Sequence, residues 1–344
     1  MIGNKKDKSG NGGEFYNPFD AMSFTYDRCF LCGHMLGDRK STEHVFPKWI
    51  QRKYNLHNQK ISLLNRTEIP YRKLTIPCCT SCNTIYLSKV ENTFKQYYEK
   101  GLIEFTKLDR LIIFQWIAKI FYGLLFKELS LRIDRSAPIQ GFITSQQLLE
   151  ELRTLHTFLQ SMRMPFEFVG FNPWSIFVVE THSYGDRRDF DYHDEILTLT
   201  FSIRIGGIGI IACFEDNGAQ EDLFSDYFER FKGIKLHPTQ FDELVAKVTY
   251  KAYLMNRVPK YTMMLPKKEG DKVMVMSPSL QGYSTLPIFD DWNQRDYAAY
   301  LTLQWRKYGM QFEDVFHEPD MVLSSLFNED GTIRILDADG KPDN

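Results

Sequence analysis

The sequence predicts an α+β protein in which a small zinc-binding module precedes a larger mixed α+β domain. Two observations predict this division. Five of the six cysteines lie between positions 29 and 82. The charge divides in the same way, because residues 1–100 carry 16 Lys and Arg against 9 Asp and Glu, whereas the rest carries 26 against 35. A basic module joined to an acidic one suggests that the first meets a polyanion.

Length and composition exclude several classes of protein. A chain of 344 residues suits two domains, and 43% hydrophobic residues exclude disorder for most of it. Residues 1–20 are polar and glycine-rich, which predicts a flexible tail and neither a signal peptide nor a membrane anchor. The longest apolar stretch, residues 111–126, is too short to span a bilayer. Cysteines without a secretory signal indicate a reducing, cytoplasmic compartment.

The elements of the small module follow from turn and periodicity signals. Residues 41–57 are predicted to form a loop that enters a short helix, because Pro47 suits a first helical turn. Residues 72–78 are predicted to be extended. A helix then opens at the second cysteine motif and continues to about residue 100, since apolar residues recur there at helical spacing.

Hydrophobic periodicity predicts both helices and strands in the larger region. The predicted helices cover residues 109–129, 145–162, 239–258 and 295–308. The predicted extended segments cover residues 174–180, 196–205, 208–214, 272–276 and 332–336. Gly206 and Gly207 predict a two-residue hairpin between two of these strands. Thr239 with Asp242 predicts the capped start of the third helix.

Two Cys-x-x-Cys motifs predict a metal site. Cys29 and Cys32 form the first motif, and Cys79 and Cys82 form the second. Four thiolates make the closed tetrahedral site of structural zinc, which has no open position for catalysis. We therefore expect Zn²⁺ to hold the module together. Cys78, next to the second motif, offers an alternative ligand.

The residues around these motifs add a second pattern. Glu43 and His44 lie between the motifs, and Asn83 directly follows the second motif. A carboxylate beside an imidazole offers a metal ligand next to a group that exchanges a proton near neutral pH. The combination CxxCG, TEHVxPxW and CxxCN, with a glutamate eight residues after that asparagine, resembles one branch of the HNH or ββα-metal endonuclease family. The resemblance covers about residues 26–95.

The resemblance implies a ββα-metal fold in which a hairpin and a helix wrap one catalytic divalent cation, Mg²⁺ or another metal. By the matching positions, His44 would be the general base, Glu43 would replace the commoner Asp as a metal ligand, and Asn83 would be the second ligand. A hard cation held by few protein oxygens keeps its waters and accepts phosphate oxygens. The zinc would keep the strands that carry these groups in register.

The chain departs from the family pattern at the central asparagine, which usually orients the histidine through backbone bonds. The corresponding residues 71–74 are Tyr-Arg-Lys-Leu, so another group must orient His44. Glu91 would lie about 12 Å along the helix from Asn83. We expect this distance to prevent a shared ion, and we expect Glu91 to pair with an Arg or Lys.

A basic run surrounds the proposed base. Residues 39–60 carry six Lys and Arg but a single acid. This excess predicts a phosphate-facing surface that includes Lys48, Arg52 and Lys53, although a solvated helix face would have the same composition. Trp49 is expected to lie in the core and not to stack on a base.

The sequence therefore predicts a metal-dependent HNH endonuclease that hydrolyses DNA, with its nuclease domain at residues 21–105. The alternative is a catalytically inactive four-cysteine zinc ribbon that binds nucleic acid. Residues 106–344 are expected to form an acidic α+β domain that binds a regulatory protein, a small ligand or a second copy of the chain, and no membrane. This layout resembles anti-phage or mobile-element effectors, in which a second domain gates a nuclease.

Two features of the larger region leave alternatives open. Residues 187–195, RRDFDYHDE, are expected to form a polar hairpin loop, or else to bind a metal. Lys119 lies inside an apolar helix and is expected either to reach solvent or to pair with Glu128 or Asp109.

Overall fold

Two antiparallel strands from distant parts of the small module form its frame. In the computed structural model, β1 (Ser41–His44) pairs with β4 (Thr75–Cys78), so that Ser41 lies opposite Cys78 and His44 lies opposite Thr75. The structure describes residues 15–19, 26–37, 41–129, 146–266, 268, 270–282 and 284–342. Most of the predicted tail, residues 1–20, lies outside these ranges. Arg39 and Lys40 of the basic run also lie outside them.

The remaining elements of the module lie between and after these strands. The chain forms α1 (Lys48–Lys53), a hairpin of β2 (Lys60–Ser62) and β3 (Glu68–Pro70), and a 3₁₀ turn (Tyr71–Lys73) before β4. After β4, a π-helical segment (Cys82–Leu87) continues into α2 (Ser88–Glu99). The short helix α1 and the long helix α2 are predicted correctly. The β2–β3 hairpin is not predicted from the sequence.

The larger region contains an antiparallel four-stranded sheet and most of the helices. The helices are α3 (Leu102–Phe105), α4 (Arg110–Leu129), α5 (Gln146–Leu159), α6 (Ala219–Glu229), α7 (Pro238–Tyr253), α8 (Gln294–Trp305) and α9 (Phe312–Val315). The strands are β5 (Phe166–Phe168), β6 (Ser175–Glu180), β7 (Phe190–Glu195), β8 (Thr200–Ile205), β9 (Ile208–Cys213), β10 (Thr262–Met264), β11 (Val273–Met276), β12 (Phe316–His317) and β13 (Met321–Val322). The main sheet has the order β6-β9-β8-β7. The protein is therefore mixed α+β, as predicted.

Several predicted elements are confirmed and others are wrong in detail. The hairpin forms at Gly206 and Gly207, with Ile205 paired to Ile208. The third predicted helix begins one residue early, because Pro238 occupies the first helical position and His237 with Gln240 forms the capping box. Residues 332–336 form no strand, because Ile333 and Leu336 make only isolated bridges, to Phe327 and Pro342.

The segment RRDFDYHDE is not the polar hairpin loop that we expected. Its last six residues form β7, which pairs with β8 along its whole length. The reason is the aromatic residues that alternate along the strand. The rings of Phe190 and Tyr192 lie 5.6 and 4.8 Å from the ring of Phe46, centroid to centroid, in the small module.

Helix α4 belongs to a hydrophobic core that includes residues on both sides of the domain boundary predicted between residues 105 and 106. One cluster of buried side chains runs from Phe19 to Val275 and includes most of α4. The ring of Trp116 stacks on Phe94 of α2 with centroids 3.7 Å apart. A Cβ at Gly123 would lie 2.8 Å from Val45 Cγ2, so glycine allows α4 to pack this closely against the residue that follows β1. In the described part of the chain, no helix is both long and apolar enough to cross a membrane.

Candidate functional site

The four predicted zinc ligands lie together. The Sγ atoms of Cys29, Cys32, Cys79 and Cys82 are all within 4.8 Å of one another, and those of Cys32 and Cys79 are 3.6 Å apart. Zinc–thiolate bonds of about 2.3 Å place the sulfurs of a regular tetrahedron about 3.8 Å apart. The cluster therefore has the donor type, number and spacing for a zinc ion.

Backbone hydrogen bonds shape both cysteine motifs for this role. The amide of Gly33 donates to Cys29 O at 2.9 Å, and Gly33 has φ of +70°, which favours glycine. In the second motif, the amide of Cys82 donates to Cys79 Sγ at 3.4 Å. The thiol of Cys78 points to Cys79 O at 3.5 Å, and Cys78 is not among the four clustered cysteines. The ligand set is thus the predicted one.

The three predicted catalytic residues surround one polar cavity. It has a volume of about 210 Å³ and is lined by Thr42, Glu43, His44, Pro47, Lys48, Asn83, Ser88, Glu91 and Asn92. The pairing of β1 with β4 brings β1 beside the start of the π-helical segment, and this explains how residues 40 positions apart share the cavity. Ser88 and Asn92 are not among the residues predicted from the sequence, and Glu91 is predicted to lie too far from Asn83 to share an ion.

His44 has the properties of a general base. Its imidazole is half-buried, and no described residue forms a hydrogen bond with it. Burial, with a further contribution from the Lys48 ammonium, lowers the pKa of His44 below its ordinary 6.5. The ring is therefore neutral at pH 7, with a nitrogen lone pair that can accept a proton.

Asn83 fastens the helical segment to β1. Its Nδ2 donates to Ser41 Oγ at 3.1 Å and to Thr42 O at 3.3 Å. None of its hydrogen bonds with described residues uses Oδ1. An amide oxygen is a suitable ligand for a hard cation, so this geometry is compatible with the predicted role of Asn83.

Glu43 is bound to a lysine from the larger region. Lys119 Nζ of α4 donates to Glu43 Oε1 at 2.9 Å, to His44 O at 3.1 Å and to Val45 O at 3.0 Å. The side chains of Lys119 and Glu43 are only 4% and 10% exposed. Lys119 thus pairs with a carboxylate, which is one of the two expectations, but the partner is neither Glu128 nor Asp109. A charged residue inside an apolar helix does signal a buried partner, but it does not say which one.

Glu91 also differs from its predicted role. It is half-buried, lines the cavity, and forms no ion pair or hydrogen bond with any described residue. Burial raises the pKa of Glu91 above its ordinary 4.5, and the nearby Lys119 opposes this shift. The salt bridge that we expected for Glu91 is therefore not formed within the described residues.

The basic residues of α1 fall into two groups. Lys48 and Arg52 are exposed and bind no described residue, whereas Lys53 Nζ donates to Tyr98 Oη at 2.7 Å and lies over that ring. Lys48 also lines the cavity. Trp49 packs between Tyr98 and Trp116, at centroid distances of 5.3 and 6.5 Å, which supports its assignment to the core.

Comparisons with known proteins add no further information about the site. No protein-family model, no curated protein and no solved structure matches this chain. Among the described residues, the cysteine cluster is the only group of three or more His, Cys, Asp or Glu with metal-ligand spacing. The segment RRDFDYHDE therefore shows no metal site.

Replacing Cys32 with serine should release zinc and unfold the small module. Structural zinc supplies about 10–16 kcal/mol of apparent binding free energy, which is as large as the stability of a typical domain. Elemental analysis and thermal unfolding of the purified protein would measure both effects. Cys78→Ser is the matched control and should keep one zinc per chain. A wild-type protein that is folded but free of zinc would contradict the assignment.

Proposed function

We propose that the protein is a metal-dependent endonuclease of the HNH type that hydrolyses phosphodiester bonds in DNA. The observation that carries the proposal is the cavity that His44, Asn83 and Glu43 share beside the cysteine cluster. A module that only bound nucleic acid would not need a neutral histidine, an amide oxygen and carboxylates around one polar cavity.

The chemistry of the cavity follows from its side chains. His44 would take a proton from a water molecule, whose oxygen then attacks phosphorus while the bond from phosphorus to the leaving 3′ oxygen breaks. Asn83 and the carboxylate of Glu43 supply oxygen donors that fit a divalent cation such as Mg²⁺. When bound, such a cation supplies charge stabilisation for the phosphate and the leaving oxygen. Lys48, at the cavity, would contact a phosphate oxygen.

The chain lacks the family's central asparagine, and Lys119 contacts the main chain at the proposed base instead. In HNH proteins that residue orients the histidine through backbone bonds. Lys119 donates to the carbonyl oxygens of His44 and Val45 and so binds the main chain at His44. This contact supports the proposal, because the group that the sequence lacked is supplied by α4.

The alternative function is a zinc module that binds nucleic acid without cutting it. The cysteine cluster and the exposed Lys48 and Arg52 would serve that function equally well. The two functions differ in their need for His44. A nuclease module followed by a larger region is typical of anti-phage or mobile-element effectors. In such an effector, the larger region would regulate cleavage by binding a protein, a ligand or a second chain.

Replacing His44 with alanine should abolish DNA cleavage and leave DNA binding and zinc content unchanged. Loss of a general base typically costs about 10² to 10⁴ in rate, whereas the phosphate contacts remain. The measurement is plasmid nicking with Mg²⁺, Mn²⁺ or Ni²⁺, with EDTA as the blank.

His57→Ala is the control for this experiment, because His57 is exposed and does not line the cavity. It should nick like the wild type. DNA binding without nicking by the wild type in every metal would instead favour the alternative function. Equal nicking by wild type and His44→Ala would show that His44 is not the base.

Replacing both Lys48 and Arg52 with alanine should make DNA binding less sensitive to salt. Each lost phosphate contact reduces the slope of log K against log salt by about 0.9, so the double variant should lose nearly two units. Fluorescence anisotropy at several salt concentrations measures the slope. Lys260→Ala with Arg306→Ala removes the same charge from exposed positions of the larger region and should leave the slope unchanged. An unchanged slope in the first variant would place its two side chains away from DNA.

A further inference from the structure

Glu91 is the carboxylate of the cavity that has no partner. Glu43 Oε1 accepts a hydrogen bond from Lys119, and Asn83 Nδ2 binds Ser41 and Thr42. Glu91 lines the same cavity but forms no ion pair or hydrogen bond with any described residue. An unpaired carboxylate held half out of water is costly to ionise, so a cation in the cavity would stabilise its charged form.

The charges around the cavity make Glu91 necessary for a cation. The carboxylate of Glu43 is balanced by the buried ammonium of Lys119, and Lys48 adds a second positive charge beside the cavity. Without Glu91, the formal charge of these groups is positive, so that a divalent cation would be repelled. Hard cations are held by carboxylates together with neutral oxygens and water. Glu91 is the lining carboxylate that forms no ion pair with a described residue.

The helix brings Glu91 to the same side as Asn83. A regular α-helix turns about 100° per residue, so eight residues would leave the two side chains about 80° apart around the axis. The segment Cys82–Leu87 is π-helical and winds more slowly, which reduces this angle. Helical side chains also lean toward the N-terminus, and this shortens the axial distance from the Glu91 carboxylate to Asn83.

We propose that Glu91 is a ligand of the divalent cation, together with Asn83 and Glu43. The inference rests on the proposed endonuclease function, since it names a further catalytic residue of that site. Lys119 then holds Glu43 in place and limits the negative charge that Glu43 contributes. The π-helical segment is the structural feature that gives Asn83 and Glu91 a common face.

The test is a titration of the zinc-loaded full-length protein with Mn²⁺. Electron paramagnetic resonance measures the concentration of free Mn²⁺ at each step. Glu91→Gln should weaken Mn²⁺ binding by about tenfold or more, because even partners outside the coordination sphere are worth about 10- to 100-fold. Zinc content and the circular dichroism spectrum should match the wild type. Glu99→Gln, an exposed residue of the same helix, is the control and should bind Mn²⁺ like the wild type.

Two further outcomes separate the possible failures. If Glu91→Asp binds Mn²⁺ as tightly as the wild type, only the charge matters and direct ligation is overturned. If Glu91→Gln binds Mn²⁺ and nicks DNA like the wild type, the assignment of Glu91 is wrong while the endonuclease proposal stands. If the wild type neither binds Mn²⁺ nor nicks DNA, the endonuclease proposal fails and this inference fails with it.

Discussion

The arrangement of the candidate site depends on one buried ammonium group. Lys119 reaches out of α4 and binds the side chain of Glu43 and two carbonyl oxygens that follow it on the chain. Moving a lysine and a glutamate out of water costs several kcal/mol for each ion, and this cost is recovered only when nearly every donor and acceptor is satisfied. Loss of one partner from such a pair costs about 3–5 kcal/mol. The contact therefore fixes β1 against α4.

This contact gives the larger region a part in the site itself. The Lys119 ammonium comes from beyond residue 105, and so do Trp116, which stacks on Phe94 of α2, and Gly123, which lets α4 pack closely against Val45 just after β1. The cysteine cluster is a second constraint on the strand pair, because it joins the segment before β1 to the segment after β4. The cavity thus lies between two constraints, a thiolate cluster and a buried ion pair. A displacement of α4 would therefore remove the contact that Lys119 makes with the main chain at His44.

Local patterns predicted much of this structure. The four cysteines, the short helix after Pro47 and the hairpin at Gly206 and Gly207 follow from spacings of a few residues and from turn geometry. The grouping of Glu43, His44 and Asn83 followed from a resemblance to a known motif. Each of these features is carried by short motifs, even where two motifs lie far apart in the chain.

The features that escaped prediction depend on distant or unusual geometry. Lys119 and Glu43 are 76 positions apart, and several other acids could have been the partner. Glu91 lines the cavity with Asn83, although a regular helix would separate the two residues by about 12 Å along its axis, and no sequence pattern signals the π-helical segment. Strand β7 looked like a polar loop because its acidic residues concealed the alternation of Phe190 and Tyr192, whose packing surface belongs to the other region.

The proposed endonuclease requires a divalent cation in the cavity beside the cysteine cluster. Anomalous X-ray scattering from crystals of the zinc-loaded protein soaked in Mn²⁺ would locate this cation. We expect two separate peaks, a zinc peak among the four cysteines and a manganese peak in the cavity beside Asn83 and Glu91. A manganese peak elsewhere, or a cavity without one at saturating Mn²⁺, would rule out the proposed cation site.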